Sequence, residues 1–209
     1  MAACYLDIKD LLGQNPSSDA VSAHITSLVT LLPSSTPVHP EVKAYPDAVY
    51  FNYYPIGLSL QFKPVDGYKP KTGLRHEELK EECLVLDTVD IFNESKPQPG
   101  ATVAKKTKSV YDPYPTIPFT LTLASIPGKE RPTSLSINAG TSGKEFVECL
   151  GEPDRKGGGA GPSSGSIGIW CEWAKDGVMV EFGGEESRGP QAWERGKDAS
   201  WKVISIFRP

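Results

Sequence analysis

The sequence predicts an α+β fold of two tandem repeats, each a short helix packed on an antiparallel sheet of three to four strands. Three observations carry that expectation. First, the stretches VYFNYYPIGLSLQF (residues 49–62) and IWCEWAKDGVMVEF (residues 169–182) align without a gap. Each has an aromatic-rich run, glycine at the ninth position and phenylalanine at the fourteenth. Second, each follows a helix signal and precedes one more apolar strand, LVLDTVDIF (84–92) in the first half and WKVISIF (201–207) in the second. Third, 20 glycines and 19 prolines among 209 residues favour many turns and short strands over long helices.

In chain order, Ser17, Ser18 and Asp19 supply capping side chains for a helix whose Val21, Ile25, Leu28 and Val29 fall at helical spacing, and Pro33 closes it. A hairpin follows, with strands over 49–54 and 58–62. His76 then stands near the start of a charged helical segment with Glu77, Glu78, Glu81 and Glu82, before the strand 84–92. The polar, locally basic run NESKPQPGATVAKKTKS reads as a connection. These signals divide the chain into a first repeat over 1–94, a linker over 95–112 and a second repeat over 113–209.

In the second half, the alternation of Phe119, Leu121 and Leu123 predicts a strand within 117–126. Ser142 and Glu145 form the S-x-x-E spacing in which each side chain satisfies a backbone amide at a helix start. Phe146, Val147 and Leu150 then give the apolar stripe, with Gly151 and Pro153 as the stop. Strands 169–173 and 178–182 are separated by Lys175, Asp176 and Gly177, a strong hairpin signal.

The helix ending in Leu150-Gly151-Glu152-Pro153, followed by Trp170, Trp173, Gly177 and Phe182, resembles the repeat of the β-lactamase inhibitor protein family and of the small outer-membrane assembly lipoproteins. A looser echo runs through Tyr50, Tyr53, Gly57 and Phe62. The resemblance covers about half of the chain and implies architecture, a helix on an antiparallel sheet, without naming a target.

A net charge of -4 offers no basic excess to hold a phosphate backbone, so nucleic acid is not expected as a partner. No stretch approaches the length of a membrane span, and no leader pattern opens the sequence, so a cytoplasmic protein without membrane association is expected. The cysteines Cys4, Cys83, Cys149 and Cys171 form no C-x-x-C pair and read as thiols, with Cys149 and Cys171 at core positions. The histidines His24, His39 and His76 lack metal-ligand spacing, so neither a metal nor a cofactor is expected.

Alternation along the strands turns Val49, Phe51, Tyr53, Leu58, Leu60 and Phe62 inward and leaves Tyr50, Asn52, Tyr54, Ser59 and Gln61 on the opposite face. The same register buries Ile169, Cys171, Trp173, Val178, Val180 and Phe182 and leaves Trp170, Glu172, Met179 and Glu181 outward. Large aromatics beside amides and carboxylates suit recognition. The long segment 183–201 adds Trp193 and Arg195 as candidate anchors.

Candidate ligand- or partner-binding residues are therefore Tyr50, Asn52, Tyr54, Gln61, Trp170, Glu172, Glu181, Trp193 and Arg195. In the glycine-rich run 155–168, Arg155 and Lys156, beside Ser163, Ser164 and Ser166, are candidates to hold a carboxylate or sulfate. The expected function is a non-catalytic, inhibitor-like or recognition protein with a protein or small-molecule ligand. Two alternatives are a hydrolase-like enzyme using Glu172, Glu181 or Asp176 as acid or base in a groove between the repeats, and a self-associating homodimer joined through strand edges or sheet faces.

Overall fold

The computed structural model describes residues 7–33, 37–93, 110–126, 128, 130–159 and 168–209. The chain forms an α+β protein dominated by antiparallel sheet, with few helices. Two compact units are present. One spans Asp10–Thr116, and the other spans Ile117–Pro209 with the short amino-terminal stretch ending at Lys9.

In the unit spanning Asp10–Thr116, helix α1 (Asp19–Val29) starts at Ser18, whose hydroxyl accepts from the Val21 amide at 3.3 Å. The helix buries Val21 and Leu28. Four strands follow as an antiparallel meander: β1 (Glu41–Ala44), β2 (Val49–Tyr53), β3 (Leu58–Pro64) and β4 (Leu84–Phe92). The pairs Val49–Phe62, Phe51–Leu60 and Tyr53–Leu58 are in register, and all six side chains are buried. The segment at 76–82 forms two 3-10 turns, His76–Glu78 and Glu81–Cys83, rather than one charged helix. Arg75 and Glu78 form a capping box at the start of the first turn, and Leu79, in extended geometry, ends it before a second helical turn can add to it.

The unit spanning Ile117–Pro209 opens with a hairpin of β5 (Phe119–Thr122) and β6 (Ser134–Ile137). Helix α2 (Gly143–Leu150) carries the expected capping box, with the Ser142 hydroxyl accepting from the Glu145 amide and Glu145 accepting from the Ser142 amide. A second meander follows: β7 (Arg155–Gly157), β8 (Trp170–Trp173), β9 (Val178–Phe182) and β10 (Trp201–Phe207). Between β9 and β10 lies the single-turn helix α3 (Ala192–Arg195). Helix α2 sits on the sheet through Phe146, whose ring centroid is 6.2 Å from that of Trp173 and 6.0 Å from that of Phe182.

Three strands were not legible in advance. β1, β6 and β7 are only three or four residues long, and β1 and β7 lie where polar or glycine-rich sequence gives no alternation to read. Of the stretch expected as a linker, residues 95–109 lie outside the described residues. Residues 110–116 pack on their own unit, where Asp112 donates its amide to the Tyr54 carbonyl and Tyr114 donates to that of Phe92.

The hairpin turns differ from the two-residue type the Asp-Gly pair predicts. Each connection is four residues, a 3-10 turn (Tyr54–Ile56 or Ala174–Asp176) followed by a left-handed glycine, Gly57 at φ 55° and Gly177 at φ 62°. The Gly57 carbonyl then accepts from Phe92 at 2.9 Å and the Gly177 carbonyl from Phe207 at 2.8 Å, so each turn is tied to the end of its unit's last strand. Any side chain at these glycines meets backbone: a Cβ would collide with the Asp112 carbonyl oxygen at Gly57 and with the Phe207 carbonyl oxygen at Gly177.

Gly57→Ala and Gly177→Ala combine left-handed strain with a clash against backbone, so each is expected to lower stability by about 3 kcal/mol or more. Urea denaturation measures it, and a midpoint within error of wild type for either variant contradicts this account of the turn.

Candidate functional site

The chemistry-bearing residues of the second meander fall on the two faces of its edge strand. β7 pairs with β8 through Arg155–Glu172, Lys156–Cys171 and Gly157–Trp170, so Arg155 and Gly157 share the outer face with Glu172 and Trp170. Lys156 points to the inner face with Cys171, the side that α2 covers.

On the outer face the Arg155 guanidinium reaches both Glu172 carboxylate oxygens at 3.3 and 3.4 Å and stands 5.9 Å from the Trp170 ring centroid. Trp170 lies over Gly157, where a Cβ would come within 2.8 Å of the ring. Trp170 therefore shields the sheet edge and is half-buried. Glu181 accepts from Lys202 at 3.3 Å.

On the inner face a cleft of about 280 Å³ opens between α2, the β7–β8 edge and the α3 segment. Its apolar floor comes from Val147, Ile169, Cys171 and Phe182, and Trp193 lines its wall. Trp193 is 42% exposed, and the Lys156 ammonium stands 5.6 Å from its ring centroid. The charged rim holds Lys144, Glu148, Glu152, Lys156 and Lys197. Lys144 and Glu148, one turn apart on α2, pair at 3.6 Å. Among the described residues, neither Lys156 nor Lys197 has a carboxylate partner.

The cleft's upper end is set by close backbone approach. The Gly143 amide donates to the Ala199 carbonyl at 3.0 Å, and a Cβ on Gly143 would collide with the Gly196 carbonyl oxygen. The cleft cysteine is held in its thiol form. Burial pushes the Cys171 thiol up to about 11, with Lys156 only partly opposing this, so it is neutral near pH 7. Cys149, expected in the core, is half-buried instead, on the side of α2 where its thiol feels the charges of Arg131 and Asp176.

Other expected site residues are placed differently. Asn52 lies on the outer face of its sheet but is 6% exposed, a correction to its expected accessibility. The Tyr111 hydroxyl donates to its Oδ1 at 2.6 Å, Ser59 donates to the same oxygen at 3.0 Å, and the Asn52 amide donates to the Glu41 carbonyl. Ser59 is buried with it. Tyr111 comes from far along the chain and stacks on Phe92 at 3.6 Å between centroids, covering this part of the face. Burial raises its hydroxyl to about 12, so it acts as a donor.

Tyr54 belongs to the turn rather than to a strand, and its hydroxyl accepts from Lys43 at 3.3 Å. Tyr50 and Gln61 are cross-strand neighbours, half-buried, with Tyr45 edge-on to Tyr50 at 6.1 Å. Arg195 is exposed at the end of α3 and does not line the cleft. Ser163, Ser164 and Ser166 lie outside the described residues. His76 pairs with Glu81 at 2.7 Å, and among the described residues no group of three or more His, Cys, Asp or Glu could hold a metal ion. Among the same residues no helix is long and apolar enough to cross a membrane.

Asp176, one of the carboxylates considered for acid–base chemistry, is not open to a substrate. It is 2% exposed, and its two oxygens accept from Arg131 at 2.6 and 2.8 Å and from the Ala124 amide at 2.8 Å. Lys9 bonds the carbonyls of Thr122 and Asp176, closing the cluster. Burial acts to raise the Asp176 carboxyl, but the Arg131 and Ala124 hydrogen bonds outweigh it and hold the group below its ordinary value. No local pattern announces Arg131, since its partner lies 45 residues away. Nor do Lys144, Glu152 and Lys197 stand out in the sequence as site residues. Only the Lys144–Glu148 spacing marks α2's solvent flank.

No protein-family model, curated protein or solved structure matches the chain.

Because the Asp176 carboxyl is lowered in the folded state, its contribution is fully present above the ordinary carboxylate value and is lost as pH falls through the lowered one. Thermal melts are thus expected to fall below about pH 4, with part of that loss absent in Asp176→Asn. Arg131→Ala strands a buried carboxylate and is expected to cost about 3 kcal/mol at neutral pH, as read by urea denaturation. Equal acid slopes for wild type and Asp176→Asn contradict this role for the pair.

Proposed function

We propose that this is a non-catalytic binding protein whose ligand site is the cleft beneath α2, with Trp193 as the anchoring side chain. The observation that carries the reading is the juxtaposition of an apolar floor with a 42% exposed tryptophan and a charged rim. Concave, mostly apolar sites with a few polar groups at the mouth are the usual form of small-ligand pockets. At about 280 Å³ the cleft suits a small ligand or one large side chain.

The engagement of the three carboxylates considered for acid–base chemistry favours binding over catalysis. Asp176 is paired with Arg131, Glu172 with Arg155 and Glu181 with Lys202. The 183–201 segment, read from the sequence as an anchor-bearing loop, supplies Trp193 and Lys197 to the cleft. In this reading Trp170 in one unit, and separately Tyr50 with Gln61 in the other, are secondary contact residues.

We also infer that the two units descend from one duplicated repeat. Support comes from the shared order of helix and four-stranded meander, and from the shared turn with a left-handed glycine bonded to the closing phenylalanine. The cleft is built from residues of the second repeat.

Trp193→Ala is expected to weaken ligand capture about tenfold or more, because exposed aromatic anchors dominate such sites, while stability changes by less than about 0.5 kcal/mol. Native mass spectrometry after incubation with a small-molecule extract reads the bound mass. Undiminished capture by Trp193→Ala at unchanged stability overturns the assignment.

A further inference from the structure

Resting on the reading of the α2 cleft as a ligand site, we propose that its ligand is a small monocarboxylate with an apolar, ring-sized body. The carboxylate is held by Lys156 and Lys197, and the body lies on the floor beside Trp193.

The charge balance of the rim points to an anion. Lys144 and Glu148 neutralise each other across one helical turn. The remaining rim charges are Lys156, Lys197 and Glu152, two cations against one carboxylate. Both lysines are exposed and neither has a carboxylate partner among the described residues. Lys156 instead rests against the Trp193 ring, a weaker partner than a carboxylate, so an incoming anion gains its charge without breaking an ion pair. Its four-carbon stem stays along the indole while the ammonium turns toward the ligand.

The floor sets the other half of the ligand. Val147, Ile169 and Phe182 are apolar, and the neutral Cys171 thiol adds a soft surface rather than a charge. Such a floor offers no hydrogen bond to a polar body and loses water most favourably to an apolar one. The cleft volume limits that body to about one ring with a short chain. A large dianion is disfavoured by Glu152, and a cation by the excess of lysine.

The test uses the whole chain and three probes of one shape, 4-phenylbutyrate, 4-phenylbutan-1-ol and 4-phenylbutylamine, titrated by NMR with the Trp193 indole N–H and the Val147 and Ile169 amides as reporters. The acid is expected to shift these signals with an affinity about tenfold above the alcohol, and the amine to bind more weakly than either. Raising the salt concentration narrows the gap. In the Lys156→Gln/Lys197→Gln variant, which removes both charges but keeps most of each side-chain stem, the acid's advantage over the alcohol is lost. Equal affinity of acid and alcohol in the wild type overturns the monocarboxylate assignment while leaving the cleft as a site. If no probe shifts the cleft signals, the assignment and the reading of the cleft as a ligand site both fail.

Discussion

The position of helix α2 depends on Phe146. Its ring is fully buried between Trp173 and Phe182, stacked on the first and edge-on to the second. Burying such a ring contributes about 2 to 3 kcal/mol from area alone, and the aromatic geometry adds to it. Further ties fix the helix ends. The Trp173 indole donates to the Gly151 carbonyl at 2.8 Å after the last turn, and the Ser142–Glu145 box closes the first. An eight-residue helix is too short to persist on propensity, so these contacts hold it together. With α2 seated in this way, its Lys144–Val147–Glu148 flank overhangs the sheet edge, and the cleft is the space left beneath it.

Backbone proximity then decides how wide that space is. Gly143 lies so close to the Gly196 carbonyl that it admits no side chain, and a Cβ on Gly196 would meet the Ile169 side chain, so the α3 segment and its tryptophan come up to the helix. Ala192 is buried beneath, while Trp193, the next residue, is left half in solvent. A single helical turn cannot bury both neighbours on one face, since consecutive residues point about 100° apart. That geometry leaves Trp193 free to act as a wall rather than as core.

Both meanders treat their faces unequally. One face of each meander is apolar and buried, while the other is covered by side chains that satisfy one another: Asn52, Ser59 and Tyr111 in one unit, Arg155, Glu172 and Trp170 in the other. A buried amide such as Asn52 is tolerable because its oxygen and amide group are both bonded. The Arg131–Asp176 pair follows the same rule, with carbonyls and amides sharing the load, although the Arg131 Nε has no partner among the described residues. These networks hold position more than they add stability.

The sequence by itself determined the periodic and punctuated parts. The Ser18 and Ser142 caps, the inward register of Val49, Phe51 and Tyr53, the strand 84–92 and the glycines at 57 and 177 all follow from spacing and local chemistry, which act over a few residues. Tertiary structure alone decided what depends on distant partners. Asn52 became core because Tyr111, 59 residues on, covers it. Asp176 became a structural anion because Arg131 reaches it from another loop, and Lys156 and Lys197 face one cleft only once α2 and α3 are in place. Alternation fixes which face a side chain takes, whereas what covers that face is set by long-range packing that no local pattern encodes.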